Sequence, residues 1–357
     1  MNIGKYRMQR HQTGFSLIEM MVAMTISAIL LAGVVEIFAS SKTTYRVQEN
    51  LSRVQENGRF ALDFLTREMR MAGYTGCSSF GPVTNTLNDQ ANVLYNFNAG
   101  IEGFNDIGAT PPAYLSAVGV IPKQDSDVVV VRRLVDNPVR ITQNNNGSQV
   151  FTEVTSNVAG GCADGTNKIS DICEGDILMV SDCKKSRIFQ AANLQITGAP
   201  NEMNMTHPAS GTPGNALASW GGASLPAEAI FGNDAEIFKL GMFVYYIKDS
   251  GDGTAALNVY DGSFHSELVG GIEDMQIQYG EDIDADRTID AYRDADDVTN
   301  WDEVLSVKLH LLLVTQDNNM APAPQTYTFF GSDEPAPSDT RLRREFTTTV
   351  ALRNRAS

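Results

Sequence analysis

Proline is absent from the first 81 residues of this 357-residue chain, because the first proline is Pro82. Proline breaks helix interiors, so its absence permits one long uninterrupted helix in that region. Histidine and cysteine are also scarce, with four of each. The sequence contains no G-x-S-x-G, H-E-x-x-H or phosphate-loop motif. These absences argue against an enzyme.

Basic residues are outnumbered, with 27 Lys and Arg against 43 Asp and Glu and a net charge of −16. Nucleic-acid binding rests on clustered basic side chains, so this balance disfavours a direct nucleic-acid partner. Residues 1–14 are the exception, because they carry Lys5, Arg7 and Arg10 and no acid. Their removal would leave a chain with a net charge of −19.

The four cysteines are Cys77, Cys162, Cys173 and Cys183. They form no C-x-x-C pair and no histidine cluster accompanies them, which disfavours a zinc site. An even number fits two disulfides in an oxidising compartment, and four cysteines allow about three pairings. We predict Cys162–Cys173, which closes a short loop, and Cys77–Cys183, which would tie the exit of the first helix to the sheet. Four buried reduced thiols are the alternative.

Residues 15–39 form an apolar run long enough to cross a membrane as a helix, which needs about 20 residues. Positive charge precedes the run, so residues 1–14 should stay cytoplasmic and the rest should be exported. An ordinary signal peptide has its cleavage site after the apolar region. Here Gly14 comes before it, so cleavage at Gly14 would retain the apolar segment. Glu19 lies inside the run, where an unpaired carboxylate is costly.

The segment Gly14–Glu19 (GFSLIE), between a basic leader and an apolar run, resembles the class III leader of type IV prepilins and type II secretion pseudopilins. The resemblance implies that a prepilin peptidase cuts after Gly14 and N-methylates Phe15. It also implies that Glu19 pairs with the terminal amine of a neighbouring subunit. A plain signal anchor, whose glutamate reaches the membrane surface, is the alternative.

Residues 40–73 continue the helix as an amphipathic segment. Apolar or small residues recur at spacings of three and four, which indicates one buried stripe; they are Val47, Leu51, Val54, Gly58, Ala61 and Leu65. The pattern predicts a helix from Phe15 to about Ala72, with Gly73 as a stop signal. A coiled coil is disfavoured because the stripe lasts under three heptads.

From Cys77 onward the apolar pattern changes to a period of two, which predicts strands. The predicted strands are Asp127–Leu134, Asp176–Ser181, Met242–Lys248, Ala255–Tyr260, the alternating Met275, Ile277 and Tyr279, Val304–Thr315, and a last strand carrying Phe346, Thr348, Val350 and Leu352. Residues 84–123 and 195–234 lack a steady period and are predicted to be long surface loops, which often carry binding. The fold class is therefore α+β, with a long N-terminal helix on a mostly antiparallel sheet, and residues 74–357 form a β-rich extracytoplasmic head.

Several segments of the head resemble PilW-type minor pilins: Arg67–Cys77 at the helix exit, Glu174–Cys183, Val269–Asp282 and the closing Arg344–Arg355. The resemblance implies a low-copy structural subunit of the complex that primes type IV pilus assembly, for twitching motility or adhesion. It implies an inner-membrane anchor with a periplasmic head, and later a place at the pilus tip. The implied partners are other minor pilins and the major pilin through the N-terminal helix, and a PilY1-type tip adhesin. One departure is that major pilins usually have a proline inside the first helix.

Two rival functions stay open at this point. The first is a pseudopilin of type II secretion, although that relative is generally much shorter. The second is a membrane-anchored adhesin that never polymerises and binds an external ligand through its long loops.

An acidic run follows the predicted strand around Tyr279. Its D-x-D-x-D spacing places several carboxylates around one point, as calcium demands. An EF-hand loop would need glycine and glutamate at the positions held here by Arg287 and Arg293. A calcium site is therefore one interpretation of this run, and a plain solvated acidic loop is the alternative. No other cofactor is expected. The carboxylates expected to hold it are Asp282, Asp284, Asp286 and Asp290.

Overall fold

The computed structural model describes residues 14–74, 82–108, 110–197, 201–216, 227–251 and 253–352. Contacts divide the chain into two compact units, Met1–Ser52 and Arg53–Ser357. The described part of the first unit is helical apart from its first three residues. The second unit contains the last turns of the same helix and all described strands.

The helices are α1 (Leu17–Arg70) and α2 (Ala113–Ala117). The strands are β1 (Val83–Asn85), β2 (Ile101–Ile107), β3 (Ser126–Gln143), β4 (Gln149–Glu153), β5 (Asn157–Val158), β6 (Lys168–Ile169), β7 (Ile177–Ser181), β8 (Ser186–Gln190), β9 (Ala192–Thr197), β10 (Glu202–Thr206), β11 (Glu236–Asp249), β12 (Ala255–Tyr260), β13 (His265–Gly270), β14 (Ile272–Glu281), β15 (Ala291–Arg293), β16 (Val304–Val314), β17 (Tyr327–Phe329), β18 (Ser332–Glu334) and β19 (Arg343–Ala351).

Most of the strands form a large and a small sheet, while β5 with β6 and β17 with β18 form separate two-stranded sheets. The large sheet has the order β1-β8-β7-β11-β3-β4-β10-β9, with β12 and β13 continuing from β11 and β2 paired to β3. The small sheet has the order β15-β14-β16-β19. Among the described strand pairs, only β1 with β8 is parallel. The predicted α+β class with a mostly antiparallel sheet is therefore confirmed.

The predicted apolar stripe of α1 is buried within the second unit. Val54, Ala61, Leu65 and Met69 pack with residues of both sheets, among them Leu309 of β16, in one hydrophobic core. The spacings of these positions are seven, four and four residues, so they share one face of the helix. The opposite face is polar and exposed. Tertiary packing of the apolar face, rather than helix propensity alone, stabilises the C-terminal end of α1.

The carboxylate of Glu68 connects α1 to the large sheet. Its Oε2 atom accepts hydrogen bonds from Arg133 Nε at 2.9 Å and from the Tyr245 hydroxyl at 3.0 Å. Arg133 lies in β3 and Tyr245 in β11, so two neighbouring strands share one helix side chain. Burial, followed by the charge of Glu68, raises the pKa of Tyr245, which keeps its hydroxyl a hydrogen-bond donor.

The first helix ends slightly earlier than predicted, at Arg70 rather than about Ala72. Gly73 has a φ of +66°, a left-handed conformation that glycine adopts without strain. Its N–H donates to the Arg132 carbonyl of β3 at 2.9 Å. The predicted stop signal therefore also joins the exit of the helix to the sheet.

The predicted strands are present, and several are longer than expected. Asp127–Leu134 lies within the 18-residue β3. Met242–Lys248 and Ala255–Tyr260 lie in β11 and β12, which form a hairpin that pairs Asp249 with Ala255. In β16 the apolar face is buried as predicted. The opposite face is also covered at His310, which is only 8% exposed and packs against the Phe330 ring.

The prediction of long surface loops at residues 84–123 and 195–234 was wrong in part. The first segment contains β2 and α2, and the second contains the end of β9 and all of β10, which pairs with both β4 and β9. Leu115 of α2 and Met203 and Met205 of β10 are fully buried. These elements are too short or too irregular for a clear apolar period, so their order comes from contacts with distant strands.

Asp127 of β3 lies where the two sheets meet. Its carboxylate accepts the main-chain N–H of Asp106 at 2.8 Å and that of Ile277 of β14 at 2.7 Å. The residue is 1% exposed. Burial raises its pKa to about 7, the two main-chain hydrogen bonds act in the opposite direction, and the like charges of Asp106 and Asp274 add to the rise.

The predicted Cys162–Cys173 disulfide is present, with the two Cα atoms 5.8 Å apart. Cys183 is disulfide-bonded as well, so these three cysteines are not the reduced thiols of the alternative. Cys77, the predicted partner of Cys183, lies outside the described residues.

Candidate assembly segment and acidic loop

The first helix begins at the predicted cleavage point. Gly14 and Phe15 precede its first turn outside regular secondary structure, and Phe15 is 91% exposed. Gly14 has nothing within 4 Å of the position that a Cβ atom would take. The peptide bond between the two residues is therefore open to an approaching enzyme. The basic residues of the leader, 1–13, lie outside the described residues.

Glu19 takes part in a reciprocal cap of this helix. The Ser16 N–H donates to Glu19 Oε2 at 3.0 Å, and the Glu19 N–H donates to Ser16 Oγ at 3.2 Å. This arrangement is a capping box, which satisfies two main-chain donors at a helix start. The sequence interpretation overlooked Ser16, although the S-x-x-E spacing is the usual signal. Among the described residues only Oε2 of Glu19 accepts a hydrogen bond, so Oε1 can accept a further donor.

The apolar part of α1 is exposed throughout. From Leu17 to Phe38 its large apolar side chains are 53–79% exposed. Within the described chain, α1 is the helix that is long and apolar enough to cross a membrane. Such a surface is stable in lipid, or against other apolar helices, and not in water. The segment can therefore anchor the chain and can also pack in a helical assembly.

The acidic loop brings together three of its four predicted carboxylates. Ligand oxygens of Asp282, Asp284 and Asp290 lie within 4.8 Å of one another. Asp286 turns away, because its Oδ1 accepts the Thr288 N–H at 2.8 Å and also the Thr288 hydroxyl. The like charge of Asp286, and then of Asp290 and Asp282, raises the pKa of Asp284.

Main-chain donors already hold part of this loop. Asp282 accepts the N–H groups of Asp286 and Arg287, and Asp290 Oδ2 accepts the N–H of Ile283 at 2.7 Å. Each carboxylate oxygen has two lone pairs, so one such bond leaves room for a cation. The oxygen-only donor set is of the kind that calcium and magnesium prefer.

Two family profiles match the chain. Residues 9–35 match the prokaryotic N-terminal methylation motif, and residues 244–354 match the family described as Type IV Pilus-assembly protein W. Together these matches support a PilW-type minor pilin in pilus assembly. The first match contains Gly14, Phe15 and Glu19, and the second runs from the middle of β11 past the end of β19.

The chain was also compared with curated proteins and with solved structures. No curated protein matches the chain. Among solved structures, a type IV-like pilin from Thermus thermophilus is similar at 12% sequence identity, with a TM-score of 0.32; the match covers 85% of this chain and 98% of that one.

The similarity to these two pilin profiles has coarse consequences for the chain. It points to a non-enzymatic protein that interacts with other pilus components. The methylation motif and the apolar helix indicate membrane anchoring of a pilin. The PilW-type match does not include β1 to β10. The large-sheet strands that come from the first half of the chain therefore lie outside the family profile.

Proposed function

We propose that this minor pilin is a low-copy subunit of the complex that primes type IV pilus assembly and then lies at the pilus tip. Before assembly, residues 15–39 anchor it in the inner membrane and the head lies in the periplasm. A prepilin peptidase removes residues 1–14 and methylates Phe15. During assembly the exposed apolar side of α1 exchanges lipid for the helices of other minor pilins and the major pilin, and the head supports a large tip adhesin.

One observation carries the proposal. The apolar half of α1 is exposed over its whole length and begins, capped by Ser16 and Glu19, immediately after the accessible Gly14–Phe15 bond. A helix retained after cleavage needs a partner for the carboxylate of Glu19, since a lone charge in an apolar medium is strongly unfavourable. The terminal amine of a neighbouring Phe15 supplies a positive charge at the same depth.

Intact mass spectrometry of the chain from a host with prepilin peptidase tests processing. We expect the mass of residues 15–357 plus one methyl group. The Gly14→Ala variant is expected to keep its leader, and the matched Gly33→Ala variant to be processed normally, because both glycines have open surroundings but only Gly14 lies at the cleavage point. An uncleaved Met1 in the unchanged chain would contradict the proposal and favour a plain membrane-anchored adhesin.

We also propose that Asp282, Asp284 and Asp290 hold a calcium ion. The support is the convergence of their oxygens within 4.8 Å. The like charge of Asp286, and then those of Asp290 and Asp282, raises the pKa of Asp284, so negative charge repels negative charge in this loop. A divalent cation would replace that repulsion with attraction. Asp286, predicted as a fourth ligand, instead caps the turn at Thr288.

Calcium titration of the full chain in detergent micelles tests this site by thermal melting. At a calcium concentration ten times the dissociation constant, stability should rise by about 1.4 kcal/mol, and extracellular sites bind at about 0.1–1 mM. Asp284→Asn should remove the shift. Asp164→Asn is the matched control, because Asp164 is likewise exposed and its Oδ1 accepts the main-chain N–H two residues on, as Asp284 Oδ1 accepts that of Asp286. An unchanged melting temperature at millimolar calcium would refute the proposal.

A further inference from the structure

The outer edge of the small sheet is formed by β19, which has a strand neighbour on one side only within the described chain. Its nine residues pair with β16 without a register shift. The Leu352 N–H donates to the Leu305 carbonyl and the Thr315 N–H to the Leu342 carbonyl. Because antiparallel pairing alternates, the N–H and C=O groups of Thr347 and Thr349 point away from β16.

Most of this edge lacks the features that usually block strand addition, since its charged side chains are confined to Arg343–Glu345 at one end. Natural edges are protected by proline, by bulges or by being very short. β19 has no proline and no bulge over its length, and its centre is the β-branched run Thr347–Thr349. Thr347 and Thr349 are exposed. The edge therefore offers a regular row of donors and acceptors.

A groove runs beside this edge, between β19 and the exposed flank of α1. It is lined by Arg59, Phe60, Leu62, Asp63, Thr66, Arg70 and Thr348. Phe60 is 55% exposed there, although its ring stacks on that of Phe64. Residues of β19 with even numbers face α1, as the contact of Phe346 with Gly58 shows. A strand added beside β19 would turn every second side chain into this groove.

The groove is basic on an acidic protein. Arg59 and Arg70 line it, and Arg344 lies on the same face of β19 as Thr348, with its guanidinium over the Phe346 ring. None of these three arginines forms an ion pair in the described part of the chain. Asp63, the acid in the groove, pairs with exposed Arg67 at 3.5 Å. With a net charge of −16 overall, this local excess of positive charge favours an acidic occupant.

We propose that the β19 edge binds an extended acidic segment of a partner protein, which adds a strand to the small sheet. Main-chain hydrogen bonds to Thr347 and Thr349 supply affinity, and carboxylates facing Arg59, Arg70 and Arg344 supply specificity, as in other cases of strand addition. One apolar side chain of the segment packs on Phe60. A second copy of β19 fits less well, since the row facing its groove carries Arg344 and no acid. This inference does not depend on the proposed place in the pilus.

Synthetic peptides and the full chain in detergent micelles test the proposal. The probe alternates threonine and glutamate over nine residues, with the central glutamate replaced by valine. One control peptide carries lysine in place of glutamate, and another has the glutamate sequence with alternate main-chain nitrogens methylated, which removes donors but keeps charge. Binding is measured by fluorescence anisotropy, and hydrogen exchange is followed in residues 343–352.

The glutamate peptide is expected to slow exchange in residues 343–352 and to bind at least about tenfold more tightly than either control peptide. The double variant Arg59→Glu, Arg70→Glu should lose this preference. Lys184→Glu, an exposed charge reversal elsewhere on the head, should keep it. Equal binding of the lysine or methylated peptide overturns the proposal, and so does a lack of protection at millimolar peptide. Protection of β19 by self-association without peptide would assign the edge to a second copy and overturn it as well.

Discussion

Replacing Glu19 with alanine is expected to leave removal of residues 1–14 largely intact while severely reducing assembly of the chain into the pilus. Cleavage depends on the accessible bond after Gly14, which Glu19 does not touch. Assembly buries the first turn of α1 among other helices, where a neighbour's terminal amine without a counter-charge costs several kcal/mol. Immunoblots of the processed chain, pilus counts and twitching assays measure the two effects separately.

Two further variants separate the charge of Glu19 from its cap. Glu19→Gln removes the charge, but glutamine can still accept the Ser16 N–H, since capping boxes use either residue. Ser16→Ala removes the hydroxyl that accepts the Glu19 N–H and keeps the charge. We expect Glu19→Gln to assemble as poorly as Glu19→Ala, and Ser16→Ala to assemble nearly normally. Normal twitching by Glu19→Gln would show that the carboxylate acts only as a cap.

The second large effect is a loss of stability as pH rises through the range in which Asp127 titrates. An unfolded aspartate has a pKa of about 3.9, whereas burial raises the pKa of Asp127 in the folded head to about 7. Between these values the folded chain retains a proton that the unfolded chain has released. The free energy of unfolding therefore falls with rising pH, by about 4 kcal/mol in total from this group, and the contribution present below pH 4 is lost by about pH 7.

Thermal melting of the full chain between pH 4.5 and 8 measures this dependence, and Asp127→Asn is its control. Asparagine has nearly the same shape and can still accept one of the two main-chain N–H groups, but it does not titrate. Other groups at the junction, including Asp106, Asp274 and Lys123, are the same in both chains. The difference in melting temperature between the two chains should shrink or reverse as pH rises. A constant difference would mean that Asp127 is already ionised across this range.

The parts of the fold that could be predicted from sequence are those with a strong period. α1 repeats its apolar residues every three to four positions, and β16 alternates them over eleven residues. In contrast, β8 buries all five of its residues, so it shows no alternation, and β10 is five residues long with a register shift against β9. These strands depend on long-range pairing, which local patterns do not encode.

The candidate sites were predictable to different extents. Gly14, Phe15 and Glu19 belong to a short local motif. The same motif includes Ser16, whose spacing from Glu19 indicates the helix cap. The acidic loop was recognisable from its spacing, but the spacing gave no indication that Asp286 would bond to Thr288 instead of joining the other carboxylates. The burial of Asp127 could not be predicted at all, because it arises where β14, 150 residues further along the chain, closes over the start of β3.

The shared contact of Glu68 also bears on how the head responds to mechanical load. A pull along the axis of α1 would have to break the bonds to Arg133 and Tyr245 together, since both end on one carboxylate oxygen. Slippage of α1 towards its C-terminus by one turn would bring Phe64 opposite Arg133 and leave a half-buried guanidinium without its counter-charge. The axial register of the helix is therefore fixed by an ion pair as well as by packing, and the head resists sliding in shear.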